Sequence, residues 1–284
     1  MTNTGLPEHA NRGPFRIARS AAAVILAGGL ACGCSMGTPR LAEPMTQAQI
    51  ARHATGNRGA SEEEKPLAGR TIVVDPGHNG KYKKSFNTKK VPAGNGKKKA
   101  CNSSGTTGKK LPEHAYNWAQ ANLLKVELER RGAHVLMTRK NDAGLGPCVN
   151  KRAKVANDAK ADLLISIHAD GNYAKKARGY HVIISTTMAG GSELEKSSKK
   201  LAKLARTEMD QHTQMPRSTY IGHGTALSPR SDIATVNLLK STPGIMMEMG
   251  NMRHAKDLAL LKLTEFRQQV AQALADAGER ALNS

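Results

Sequence analysis

From Thr71 onward the chain alternates between two hydrophobic periods. TIVVD (71–75) is a continuous apolar run closed by an acid and predicts a buried strand. Pro112 to Arg131 carries Trp118, Ala121, Leu124 and Leu128 at helical spacing, with Gly132 as the stop. AHVLMT (133–138) predicts a strand, Val149 to Ala159 a helix, and ADLLISIHAD (161–170) a strand too apolar to lie at a sheet edge. YHVIIST (180–186) predicts another strand and Gly191 to Gln211 a long basic amphipathic helix. GIMMEM (244–249) predicts a last strand, followed by one helix from Ala255 to Ala277. Strands separated by helices predict an α/β fold: a single three-layer domain whose mostly parallel central sheet is flanked by helices. In such sheets functional groups gather at the C-terminal ends of the strands.

The region before Thr71 reads differently. AAAVILAGGLA (21–31) follows Arg12, Arg16 and Arg19 and precedes CGCS, the order of a secretory signal, expected over residues 1–34. The apolar run is about half of what a bilayer-spanning helix requires, so no transmembrane span is expected. Cys32 and Cys34 stand where a lipid anchor would attach. Three places earlier, however, lie Gly29 and Ala31 rather than a bulky aliphatic residue, which favours soluble secretion over an anchor. Residues 35–70 shift to Gly, Pro, Ser, Thr and charge without apolar periodicity, as a flexible linker does, and the folded domain is expected over 71–284.

Composition narrows the partners. At 284 residues and 39% hydrophobic content the chain can bury a core, which excludes a disordered protein. With 43 Lys plus Arg against 23 Asp plus Glu, the net charge of +20 attracts polyanions. Export argues against nucleic acid and leaves anionic cell-wall polymers as the expected partner, met as a monomer. Cys101 and Cys148 are the two cysteines outside the leader, and an oxidising compartment favours a disulfide between them over two free buried thiols. The most basic stretch, residues 81–110, holds ten Lys and no acid. It is either solvated surface or the border of a cleft that concentrates an anionic polymer.

Candidate chemistry sits at the predicted strand ends. VVDPGHNG places His78 just past the first strand, LLISIHADG places His168 at the end of the central one, and GIMMEMGN places Glu248 on the last. Glu113, in LPEHAYNW, opens the first helix, where a carboxylate also suits the helix dipole. Two His and one carboxylate are a known set for catalytic zinc, and a further carboxylate near the bound water serves as general base. Spacing does not say which Glu is ligand and which is base.

VVDPGHNG, PEH at a helix start, ISIHADG and MEMGNM together resemble the four signature segments of the zinc-dependent N-acetylmuramoyl-L-alanine amidases. These secreted bacterial hydrolases cut between the lactyl group of muramic acid and the first L-alanine of the peptidoglycan stem. The resemblance runs from Thr71 to about Gly278. It implies Zn2+ held by His78, Glu113 and His168, with Glu248 as the catalytic carboxylate and peptidoglycan as substrate. His114 is then expected on a neighbouring face of its helix. Asp75 either orients a ligand or opens the turn after its strand. His134, His181, His212 and His254 read as structural or solvated. His223 in YIGHGT reads first as a loop residue held by turn geometry and second as a substrate contact, and Arg230 in SPRSD has similar status, its candidate partner being a stem-peptide carboxylate. Ser231 to Lys240 is too short to be read as an inserted, cleft-blocking helix. A zinc peptidase acting on stem peptides and a non-catalytic polyanion-binding wall protein remain the alternatives.

Overall fold

The computed structural model describes residues 65–284. The expected signal segment with Cys32 and Cys34, and most of the expected linker, lie outside the described residues. The folded unit starts before the linker was expected to end. Leu67 is fully buried and its N–H donates to the Arg131 carbonyl, so an apolar side chain inside a polar stretch has found a core site.

In chain order the strands are β1 (Thr71–Pro76), β2 (Lys90–Pro92), β3 (Lys98–Ala100), β4 (Thr107–Gly108), β5 (Leu111–Pro112), β6 (His134–Met137), β7 (Leu163–Asp170), β8 (His181–Ser185), β9 (Leu227–Arg230) and β10 (Gly244–Asn251). The helices are α1 (Lys84–Thr88), α2 (Glu113–Arg130), α3 (Val149–Asp158), α4 (Ser192–His212), α5 (Ala234–Asn237), α6 (Ala255–Lys262) and α7 (Thr264–Leu282). Six strands form one sheet in the order β6-β1-β7-β10-β8-β9, and every pairing is parallel except β10 with β8. This is the mostly parallel α/β sheet that the alternating periods predict. β9 has no counterpart among the expected strands, because LSPR is short and contains Pro229.

Alternate residues of each strand serve the two faces. Ile72 and Val74 join Leu124, Leu128, Leu201, Val270 and Leu274 in the larger core, beneath α2, α4 and α7. Val73 and Leu164 face the other way, against Ala153 and Ala156 of α3 and Val236 of α5. Trp118 is only half-buried. Its helix face is instead carried by the fully buried Tyr116, while the Arg139 guanidinium lies 5.0 Å from the Trp118 ring centroid.

The single helix expected over 255–277 is two helices, α6 and α7. Leu263 between them is extended (φ −75°, ψ 128°), and the Arg267 side chain donates to the Leu261 carbonyl at 2.6 Å, satisfying a backbone acceptor that the break releases. Apolar spacing continues through the break, so periodicity did not reveal it.

Candidate metal centre and active site

β1 delivers its chain end to the site through a turn held from beneath. The Arg152 guanidinium, fully buried on α3, donates to Asp75 at 2.6 Å, to the Pro76 and His78 carbonyls at 2.7 and 2.6 Å, and to Asn79 Oδ1 at 2.8 Å. Asp75 also accepts from Ser166 and Thr138. Burial alone would raise its pKa, but the Arg152 charge and the two hydroxyls hold it below the ordinary value. Asp75 therefore anchors the turn rather than orienting a ligand side chain. His78 sits in the left-handed region at φ 60°, a conformation that costs a non-glycine residue energy and that the Arg152 bonds stabilise.

From this turn the His78 ring reaches Glu113. Its Nδ1 faces the Ser103 carbonyl at 2.9 Å, which holds the ring with Nε2 directed at Glu113. That Nε2 lies 3.0 Å from Glu113 Oε1, and His168 Nδ1 lies 2.9 Å from the same oxygen. The three candidate ligand atoms all lie within 4.8 Å of one another. Glu113 is fixed by the Thr106 and Ala169 N–H groups, at 2.9 and 3.2 Å. The His168 ring packs so closely on Gly77 that a Cβ there would lie 2.2 Å from it, which is why the turn carries glycine. Burial pushes the Glu113 carboxyl up, but the two imidazoles and their hydrogen bonds hold it well below the usual range. Two imidazoles and a carboxylate converging on one point fit a divalent cation with nitrogen and oxygen ligands.

Glu248 stands beside this group, paired in register with His168 of β7 on one side and His181 of β8 on the other. Its Oε2 is buried without a hydrogen-bond partner. Burial, together with the charges of Glu113 and Asp170, lifts its pKa well above the ordinary carboxylate value. A register irregularity follows at once in β10, with Gly250 at φ 150°. These groups line a cavity of about 370 Å³, together with Asp170, Thr106, Lys99 and Thr235.

The other expected site residues lie as follows. His114 turns away and pairs with Asp142 at 2.9 Å. His223 is exposed on a tight turn at φ 47° and is absent from the cavity lining. Arg230 is engaged by Asp232 through two bonds of 2.8 and 2.7 Å, although its charge still reaches Glu248. Cys101 and Cys148 form the expected disulfide. A second group among the described residues, Glu208, His212 and Asp276, is also close enough to hold a cation, but Glu208 is taken up by Arg280 and Asp276 by Arg131.

Sequence reasoning missed Arg152, Ser103, Thr106, Lys99 and the placing of His181. Arg152 left one usable trace, a lone cation on the otherwise small-residue face of α3 beside Ala153 and Ala156. The others act through backbone groups or through strand pairing, which spacing does not encode.

The family description "N-acetylmuramoyl-L-alanine amidase" matches residues 72–279. An N-acetylmuramoyl-L-alanine amidase of Mycobacterium tuberculosis is 38% identical over 216 residues, covering 76% of this chain and 87% of its own. The crystal structure of the amidase Ami1 from Mycobacterium smegmatis superposes with a TM-score of 0.71 at 37% identity, covering 76% of this chain and 98% of that one. The apo form of Ami1 from Mycobacterium abscessus gives the same TM-score and identity, covering 77% and 100%. With the matched model spanning nearly the whole described domain, the chain belongs to the N-acetylmuramoyl-L-alanine amidase family of hydrolases.

Proposed function

We propose that this chain is an exported, zinc-dependent amidase that hydrolyses the bond between the muramic lactyl group and L-alanine in peptidoglycan. The observation that carries the reading is the convergence of His78, Glu113 and His168 next to Glu248, whose Oε2 is buried without a hydrogen-bond partner. In this reading the first three residues hold the metal. When bound there, zinc supplies Lewis-acid polarisation of the amide carbonyl and makes water more acidic.

The remaining chemistry falls to the chain itself. Ser103 and Arg152 hold the His78 ring and its backbone, and the Thr106 and Ala169 amides hold Glu113. Glu248 takes a proton from the attacking water and returns it to the departing alanine nitrogen. Its raised pKa suits a group that must keep that proton until the C–N bond breaks. No covalent intermediate with the protein is required. The leader expected at the N-terminus and the net charge of +20 support action at an anionic cell wall.

The test is mass analysis of digested muropeptides alongside three variants. The expected products are free stem peptides beginning with L-alanine and intact glycan. Disaccharide still joined to L-alanine, with cuts further along the peptide, would instead indicate a peptidase. His78→Ala and Glu113→Gln should lose zinc and activity together. Glu248→Gln should keep its zinc while activity falls about 10²-fold or more. The reverse result for the two Glu variants would exchange their roles.

A further inference from the structure

Among the cations of the cavity wall, one is not fully matched from within the protein. Arg152 is consumed by Asp75 and the turn carbonyls, and the histidines face Glu113. Lys99, in the middle of β3, also lines the cavity, and its Nζ has a single hydrogen bond, 2.5 Å to the backbone carbonyl of Asp232. An ammonium has three N–H donors, so two are left over. The Asp232 carboxylate, which could have taken them, is gripped by Arg230. Burial pulls the Lys99 pKa down, and the neighbouring Asp232 carboxylate offsets that loss of water only in part. A partly desolvated ammonium with spare donors facing a cavity is a receptor for an anion.

The scaffold holds this amine still. Asn95 of the β2–β3 hairpin donates to the Ser231 carbonyl at 2.7 Å, Asn237 donates to the Ala93 carbonyl at 2.8 Å, and Cys101, just after β3, is bonded to Cys148 at the start of α3. Lys97 and Lys98 beside it are exposed and outside the lining, so they do not share its role. Position then selects the anion. Lys99 and Glu248 line the same cavity. Glu248 must reach the alanine nitrogen, so the leaving peptide starts in that cavity. The nearest anionic group along a stem peptide is the α-carboxylate of the γ-linked acidic residue that follows the alanine.

We propose that Lys99 binds this carboxylate and makes the enzyme discriminate between stems in which it is free and stems in which it is amidated. The proposal rests on the amidase reading and deepens it. Lys99 is thus a specificity residue for the leaving group, the part that the sequence offered to Arg230.

The experiment is a competition between two soluble glycan-strand preparations, identical except that the α-carboxylate is free in one and amidated in the other, digested together by the zinc-loaded domain. The wild type is expected to release the free-acid peptide faster by about tenfold or more, the usual weight of a hydrogen bond to a charged group. Lys99→Met should bring that ratio close to one, while Lys99→Arg and Lys98→Met keep it. Thermal unfolding and a thiol count on each variant show that the hairpin and its disulfide are intact. Equal release by the wild type, or an unchanged ratio in Lys99→Met, overturns the proposal. If the wild type releases no alanine-terminated peptide from either preparation, the amidase reading itself fails and the proposal falls with it.

Discussion

His181 shows how much a single position can change once its neighbours are known. It is 2% exposed, its Nδ1 has no hydrogen-bond partner, and its ring stands edge-on to Tyr220, which donates to Asp170. Burial lowers its pKa from 6.5 to about 4, so the folded ring stays neutral at pH values where the unfolded one is charged. Its contribution to stability is therefore complete above pH 6.5 and is lost as the pH falls towards 4. At pH 5 the loss amounts to about 2 kcal/mol. Urea unfolding of chelator-treated protein at pH 7 and pH 5 should show the wild type losing about that much more than His181→Gln. Parallel losses in the two proteins would mean that the ring is not held neutral.

Among the elements, α3 carries more than its small apolar face suggests. It stands on the sheet face opposite α2, α4 and α7, and through Arg152 it fastens the end of β1, from which His78 projects. Removing that guanidinium leaves Asp75 as an unpaired buried charge. Arg152→Met should therefore destabilise the fold by about 3–5 kcal/mol. The zinc affinity of the folded fraction should fall as well, because the turn at φ 60° loses its ties. Denaturant unfolding and competition with a zinc chelator measure the two effects separately. Arg152→Lys should recover only part of either, since one ammonium cannot reproduce a guanidinium bonded to five acceptors. A variant with full stability and unchanged zinc affinity would show that β1 holds the ligand loop unaided.

For the molecule as a whole, the decisive link joins the basic excursion between β1 and α2 to the sheet domain. That excursion contains the hairpin with Lys99, the Ser103 carbonyl that orients His78 and the Thr106 amide that holds Glu113, so half of the site depends on where it lies. The Cys101–Cys148 bond spans 47 residues, and closing a loop of that length in the unfolded chain is worth ~4 kcal/mol in the chain-entropy model. Thiol titration of the denatured, unreduced domain should find neither cysteine free. Reduction, or Cys101→Ser with Cys148→Ser, should lower the unfolding free energy by an amount of that order. Two titratable thiols would remove the bond from the account. Among the described residues no helix is long and apolar enough to cross a membrane.

The sequence by itself determined the α/β class, the elements of the layered sheet and the four residues at its centre. Apolar period is a local property, and His78, His168 and Glu248 stand at the ends of strands whose length can be counted. The order of the strands, the antiparallel β8 that brings His181 opposite Glu248, and the break at Leu263 were decided only by tertiary packing. The same is true of the partners of Asp75, Arg230 and Lys99. Which cation an acid meets depends on distances between segments far apart in the chain: 77 residues separate Asp75 from Arg152, whereas Asp232 takes Arg230 from two residues away and leaves Lys99 free to face the cavity.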